Sequence, residues 1–73
     1  MTSIKQEIKE RARLTRGLAN ALGYCADYVY TDVKNFDLMC LDESLRDAKD
    51  TLQKLTDSLT ELEYLVYLIK KEI

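Results

Sequence analysis

The sequence predicts an all-α protein, a long two-helix antiparallel hairpin that completes a helical bundle by self-association. The 73 residues include no proline and only 2 glycines, so almost nothing interrupts a helix. Apolar residues recur in steps of three and four through the second half, and a short segment between the halves has turn chemistry. We expect a single domain over residues 1–73, because a chain of this length has room for one small core.

The first helix is predicted over about residues 3–34. Ser3 followed by Gln6 fits a capping box at its N-terminus. When residues are plotted at about 100° each, one side of the helix collects most of the apolar side chains, and Arg11 and Thr15 fall within this stripe. Its apolar members are Ile4, Ile8, Leu18, Leu22, Cys25, Ala26, Val29, Val33 and Phe36.

Two glycines and a turn set the limits of this helix. Gly17 and Gly23 each cost about 1 kcal/mol relative to alanine in a helix interior. A three-helix bundle broken near Gly23 is therefore the alternative architecture. The turn is predicted at residues 35–37, because Asn35 and Asp37 tolerate left-handed conformations and bond to neighbouring backbone groups.

The second helix, about residues 38–72, has the most regular pattern. A strict seven-residue repeat of apolar residues is typical of a helix that presents one side to a partner helix, as in a coiled coil. Ser44, Thr51 and Ser58 recur at the same spacing beside it, and we interpret them as small residues that let another helix approach closely. The apolar repeat consists of Leu38, Leu41, Leu45, Ala48, Leu52, Leu55, Leu59, Leu62, Val66, Ile69 and Ile73.

Self-association is expected because two helices alone leave each apolar stripe half covered. Near its C-terminus the second helix is apolar on nearly every side, which is typical of a helix buried on more than one side. With only 2 cysteines the chain has no disulfide scaffold, so a homo-oligomer, first of all a symmetric dimer of four helices, is the simplest way to complete a core. The candidate oligomer interface comprises Leu55, Leu59, Leu62, Leu65, Val66, Leu68, Ile69, Tyr24 and Tyr28.

A basic row on the first helix is the candidate site for an anion or a partner. Like charges four residues apart repel each other, so this row requires a negative neighbour. That neighbour is either an acidic surface of the same oligomer, or a phosphate or acidic partner protein. The third interpretation is an ordinary solvated face without a specific partner. Tyr64 and Tyr67 lie level with the row in a hairpin that turns near residue 37, where they could pack in an interface or stack on bases. The row consists of Lys5, Lys9, Arg13 and Arg16.

Arg11 is a further candidate, because a charge within an apolar stripe requires a partner. In the hairpin it lies roughly opposite Glu63, and we expect an Arg11–Glu63 ion pair that fixes the helix register, with Asp32 as a second candidate partner. The functional alternative is an arginine that lines a central cavity and holds an anion.

The composition excludes several classes of function. The chain has no histidine, and its net charge is −2, so we expect no enzyme activity, no metal site, no cofactor and no membrane binding. The charged N-terminus lacks the apolar region of a signal peptide, which predicts a cytoplasmic protein in a bacterial or host cell. The leading hypothesis is a self-associating interaction protein that acts as a small inhibitor, adaptor or co-chaperone. Small bacterial or phage regulators often have a compact helical chain of this size. The alternative is an oligomer that holds a nucleotide or RNA at the basic row, with tyrosines stacking on the bases.

Overall fold

The computed structural model describes residues 3–72, which form two α-helices packed against each other. Helix α1 spans Ile4–Asn35 and helix α2 spans Leu38–Glu72. The hairpin is elongated, with extents of 54 × 17 × 14 Å. No strand occurs within residues 3–72, so the prediction of an all-helical hairpin is confirmed. Ile73, the last member of the predicted apolar repeat, lies outside the described residues.

Local hydrogen bonds define where each helix begins and ends. The Ser3 hydroxyl accepts a hydrogen bond from the Gln6 backbone N–H at 3.2 Å, which caps the N-terminus of α1. At the other end, Phe36 adopts a left-handed conformation with φ 54° and ψ 41°. The Asp37 N–H then bonds to the Asp32 carbonyl at 2.9 Å, the pattern of a Schellman motif. The carboxylate of Asp37 accepts from the Cys40 N–H at 3.2 Å and caps α2.

Helix α1 runs without a break through both of its glycines, so the three-helix alternative is wrong. A Cβ atom built at Gly17 or Gly23 would meet nothing within 4 Å, which means that neither glycine accommodates a close contact. The helix is continuous because Leu18, Leu22 and Cys25 pack on α2 along this stretch and offset the low helix propensity of the glycines.

The core of the hairpin contains two columns of residues from each helix, in steps of three and four. In this antiparallel arrangement the least exposed side chains of α1 face those of α2, and Leu65 is the buried apolar residue at 8% exposure. On α1 the columns contain Ile4, Ile8, Arg11, Thr15, Leu18, Leu22, Cys25, Val29 and Asp32. On α2 they contain Leu41, Ser44, Ala48, Thr51, Leu55, Ser58, Leu62, Leu65 and Ile69.

Polar contacts across this core decide which side of α2 faces α1. The contacts join Thr15 to Ser58 at 2.6 Å, Cys25 to Thr51 at 3.8 Å and Asp32 to Ser44 at 2.5 Å. The Asp32 carboxylate and the buried Ser58 hydroxyl each find the polar partner that they require on the facing helix. The small polar residues of α2 therefore face α1. The sequence predicted one seam for all the leucines of the repeat, but those that alternate with Leu41 and Leu55 lie on the outer surface of the hairpin: Leu38, Leu45, Leu52 and Leu59.

Candidate interaction surfaces

The leucine and valine side chains that α2 leaves outside the core form one exposed column. Its members recur at every seventh position and retain 37–59% of their accessible surface: Leu38, Leu45, Leu52, Leu59 and Val66. Large apolar side chains in an unbroken row are unusual on the surface of a monomer and are typical of an interaction site.

Helix α1 contributes a second column to the same side of the hairpin. Leu14 of α1 lines a hollow together with Lys54 and Glu61 of α2. The flank of α1 that carries Leu14 and the flank of α2 that carries Lys54 and Glu61 therefore lie on the same side of the hairpin. In an antiparallel pair of helices the two remaining flanks meet on the opposite side. On α1 that flank begins with Lys5 of the basic row and continues with Ala12, Ala19, Ala26 and Val33, all exposed. We call this column together with the exposed leucine and valine column of α2 the apolar face.

The residues predicted for an oligomer interface are divided between several surfaces. Leu59 and Val66 lie on the apolar face, and Leu55, Leu62 and Ile69 are half-buried in the core column that adjoins this face. Leu68 is also half-buried, on the flank of Lys54 and Glu61, and Leu65 is already covered within one chain.

The aromatic residues are unusual in that none is buried. All 5 tyrosines are exposed, at 57–71%, and Phe36 is exposed at 77%. Tyr24 and Tyr28 lie on α1 away from the apolar face, while Tyr67 contributes to an apolar hollow at the C-terminal end of α2. Because tyrosine is enriched in protein interfaces, the exposed tyrosines are candidate contact residues.

The four residues of the basic row are exposed, and none has an ion-pair partner among residues 3–72. The ion pairs in this part of the chain join Arg46 to Asp42 at 3.8 Å and Lys54 to Asp50 at 3.3 Å, all on α2. The structure thus leaves Lys5, Lys9, Arg13 and Arg16 free to meet a negative surface.

Arg11 is half-buried, and the predicted Arg11–Glu63 ion pair is absent from the described residues. Arg11 lines a hollow with Glu7, Glu10 and Glu61, and Glu63 belongs to a different hollow on α2. The prediction was wrong because it considered only how far along the hairpin the two residues lie. The orientation of α2 about its own axis points Glu63 away from α1, so that it does not face Arg11. Since carboxylates surround Arg11, this hollow is a poor site for an anion.

Two groups at the turn, Asp37 and Cys40, have pKa values that are shifted from their ordinary ranges. The hydrogen bond from the Cys40 backbone N–H lowers the pKa of Asp37 below 3.8. In return, the hydrogen bond to Asp37 and its negative charge raise the pKa of the exposed Cys40 thiol above 9.0. Cys40 is therefore poorly activated as a nucleophile.

Sequence reasoning did not recognise the apolar face as a surface separate from the hairpin core. Leu38, Leu45 and Leu52 were predicted to share one seam with Leu41 and Leu55 that faces a partner helix, and the spacing of Ala12 and Ala19 was not recognised. The sequence did contain a signal for this face. Three adjacent columns of α2 are made of residues that suit a helix–helix contact, and one of the three consists of serine, threonine and leucine. A single partner helix covers only two columns, so the third had to remain exposed.

No protein-family model matches the chain, and no curated protein or solved structure matches it. Over residues 3–72, no helix is sufficiently long and apolar to cross a membrane. The same residues contain no group of three or more potential metal ligands. The surfaces described above are therefore the basis for a functional proposal.

Proposed function

We propose that this protein is a non-enzymatic, self-associating helical interaction protein, which acts as a small inhibitor, adaptor or co-chaperone by binding another macromolecule. The observation that carries the proposal is the apolar face, which runs along most of the hairpin. Covering this face with a second copy produces a four-helix bundle and a dimer, the simplest closed assembly.

The energetics of a single hairpin support self-association. Within the described residues only Leu65 and Ser58 are buried, and no side chain is fully buried. A chain of this size has a marginal core and commonly gains stability from oligomerisation. Removing the exposed leucines from water contributes about 25 cal/mol per Å² of apolar surface, which makes the second copy a source of folding free energy.

The exposed tyrosines support binding to a further macromolecule. Tyr24 and Tyr28 stay accessible when the apolar face is covered, because they lie on other sides of α1. Within residues 3–72 the hydroxyls of Thr15 and Ser58 bond to each other, and the sequence has no histidine that could activate either of them. The unpaired thiols of Cys25 and Cys40 suit a reducing compartment such as the cytoplasm.

The self-association is tested by sedimentation equilibrium of Leu52→Glu, with Leu14→Glu as the matched control. Leu52 and Leu14 are similarly exposed, at 50% and 49%, but only Leu52 lies on the apolar face. We expect a dimer for the wild type and for Leu14→Glu, and a helical monomer for Leu52→Glu. A monomeric wild type, or a dimer that tolerates Leu52→Glu as well as it tolerates Leu14→Glu, would overturn the proposal.

The binding of a further macromolecule is tested separately with the double variant Tyr24→Ala, Tyr28→Ala. This variant should remain a dimer and lose a protein that the wild type captures from the cell extract of its source. Capture that is equal for both forms, or the absence of any captured protein, would contradict a role as inhibitor, adaptor or co-chaperone.

The second candidate function is nucleotide or RNA binding at the basic row, and it is favoured by one observation. Lys5, Lys9, Arg13 and Arg16 are exposed and lack ion-pair partners among the described residues. Phosphate contacts would make the affinity for single-stranded RNA fall steeply with salt. A titration at low and high salt tests this function, with Lys9→Glu and Arg13→Glu expected to abolish binding and preserve the dimer. The absence of RNA binding at low salt would exclude it.

A further inference from the structure

A column of alternating charges borders the apolar face along α2. Each of its members follows a residue of the apolar face by four positions and therefore lies beside it on the helix surface. The exposed rim column, as we call it, contains Asp42, Lys49, Thr56, Glu63 and Lys70, in the charge order minus, plus, neutral, minus, plus.

This charge order is self-complementary in the antiparallel direction. If α2 is placed against a second α2 that runs the opposite way and crosses it at Thr56, Asp42 meets Lys70 and Lys49 meets Glu63. Sliding one copy by a heptad in either direction instead brings Asp42 to Glu63 or Lys49 to Lys70, and like charges repel. One register is therefore favoured over its neighbours.

From these observations we infer that the apolar face is covered by a second copy, related by a two-fold axis that runs across the helices at Thr56. The inference rests on the self-association proposed above and specifies its surface, orientation and register. In this dimer α2 packs against α2 and α1 against α1, both pairs antiparallel, and the rim columns form opposite-charge pairs at the edge of the contact.

The residues of α1 on the apolar face fit the same two-fold axis. The contacts of Thr15 with Ser58 and of Cys25 with Thr51 place Thr56 level with residues 17–20 of α1. An axis at this level puts Ala19 opposite Ala19 of the second copy and Ala12 opposite Ala26 of the second copy. Alanine side chains at these positions allow the two α1 helices to approach closely.

The area of the apolar face is sufficient for a stable dimer. The face extends over residues 38–66 of α2, about 42 Å at a rise of about 1.5 Å per residue. With the 17 Å width of the hairpin, each copy contributes about 700 Å² and the pair buries about 1,400 Å², within the range of about 1,200–2,000 Å² for specific interfaces.

A competing arrangement has its two-fold axis parallel to the helices. It places α1 of one copy against α2 of the other and brings Glu63 of the second copy to a level between Lys9 and Arg16. The two arrangements differ in the partner of Glu63, which is Lys49 in the crosswise dimer and a basic residue of α1 in the alternative. Charge reversal at this position separates them.

The test compares dimer dissociation constants of Lys49→Glu, Glu63→Lys and the combined swap by sedimentation equilibrium. Each single reversal places like charges at two symmetric positions and should weaken the dimer about 10-fold, from about 0.5–1 kcal/mol per exposed pair. The swap restores opposite charges and should return the constant to within about 3-fold of the wild type. Lys54→Glu and Glu61→Lys, on the opposite flank, are controls with the same changes in net charge.

The outcomes distinguish this inference from the proposed function. A swap that is as weak as Glu63→Lys, with Lys49→Glu close to the wild type, would support the lengthwise axis and overturn the inference. A dimer that is broken by Leu52→Glu but insensitive to every rim-column reversal would also overturn it, while self-association would stand. A monomeric wild type would remove both.

Disulfide trapping provides a second measurement that does not depend on charge. In a background of Cys25→Ala and Cys40→Ala, Ala19→Cys should form a disulfide-linked dimer rapidly, because the crosswise axis passes close to this position and brings the two Cβ atoms together. Asn20→Cys, which points away from the face, is the matched control. Equal rates for the two variants would overturn the inference.

Discussion

The hydrogen bond between Thr15 and Ser58 joins α1 to α2 and allows a quantitative prediction. The Thr15 hydroxyl donates to the Arg11 carbonyl at 2.8 Å. Because a hydroxyl has one proton, Ser58 must be the donor in the 2.6 Å contact between the two side chains. Ser58 is 3% exposed and therefore depends on Thr15 for its hydrogen bond.

The two partners should consequently respond differently to removal. Thr15→Val preserves the shape of the side chain and leaves the Ser58 hydroxyl buried without an acceptor, at a cost of about 2 kcal/mol. Ser58→Ala leaves Thr15 bonded to Arg11, and the loss of about 1 kcal/mol is offset in part by about 0.5 kcal/mol of helix propensity. The double variant lacks both hydroxyls and should be close to the wild type in stability, because no unpaired group remains.

Urea denaturation followed by circular dichroism measures these differences, at one protein concentration because the stability of an oligomer depends on it. In a thermal unfolding experiment on a domain of this size, Thr15→Val should lower the melting temperature by roughly 10 °C. The double variant should recover most of this loss. Additive effects of the two substitutions, or an unchanged stability of Thr15→Val, would refute the reasoning, since Ser58 would then have another acceptor.

Three further predictions concern the turn. Phe36→Gly should raise the free energy of unfolding by about 1 kcal/mol in the same denaturation assay, because Phe36 has a positive φ of 54° and is exposed; a loss of stability would contradict this. The lowered pKa of Asp37 stabilises the fold above pH 3.8, and this contribution is lost as the pH falls through the pKa of the folded state, so acid should destabilise the wild type more than Asp37→Asn. Identical acid unfolding of the two forms would refute that assignment. Asp37→Asn should also accelerate alkylation of Cys40 by iodoacetamide, measured with Cys25→Ala in both forms, because it removes the charge that raises the thiol pKa; an unchanged rate would be inconsistent with this cause.

The helices were predictable because their signals are local. The absence of proline, the Ser3 cap and the turn chemistry of Asn35 and Asp37 act within a few residues, and the seven-residue repeat of α2 is visible without knowledge of α1. The continuity of α1 through Gly23 was not predictable in the same way. It depends on whether packing against α2 offsets a local cost, which is a tertiary quantity.

The candidate surfaces were predicted only in part, for a related reason. Exposure of the basic row followed from its charge alone, whereas the position of Arg11 depended on the rotation of α2 about its axis. If the orientation of α2 about its axis is misjudged by one column of residues, a residue such as Glu63 is assigned to the wrong side of the hairpin. The sequence does not specify this rotation, because apolar and small residues occupy more columns of α2 than α1 can cover.

The sequence by itself determined the secondary structure, the hairpin connection and the excess of apolar surface over what two helices can bury. The tertiary structure decided which columns of α2 face α1. Asp32, Cys25 and Thr15 lie in the stripe of α1 and pair with small polar residues of α2, so the column of leucines ending at Val66 lies outside the core. The physical reason is that a polar side chain buried between helices without a hydrogen-bond partner costs more free energy than a leucine that stays exposed to water. The exposed leucines also remain available for contact with a second chain.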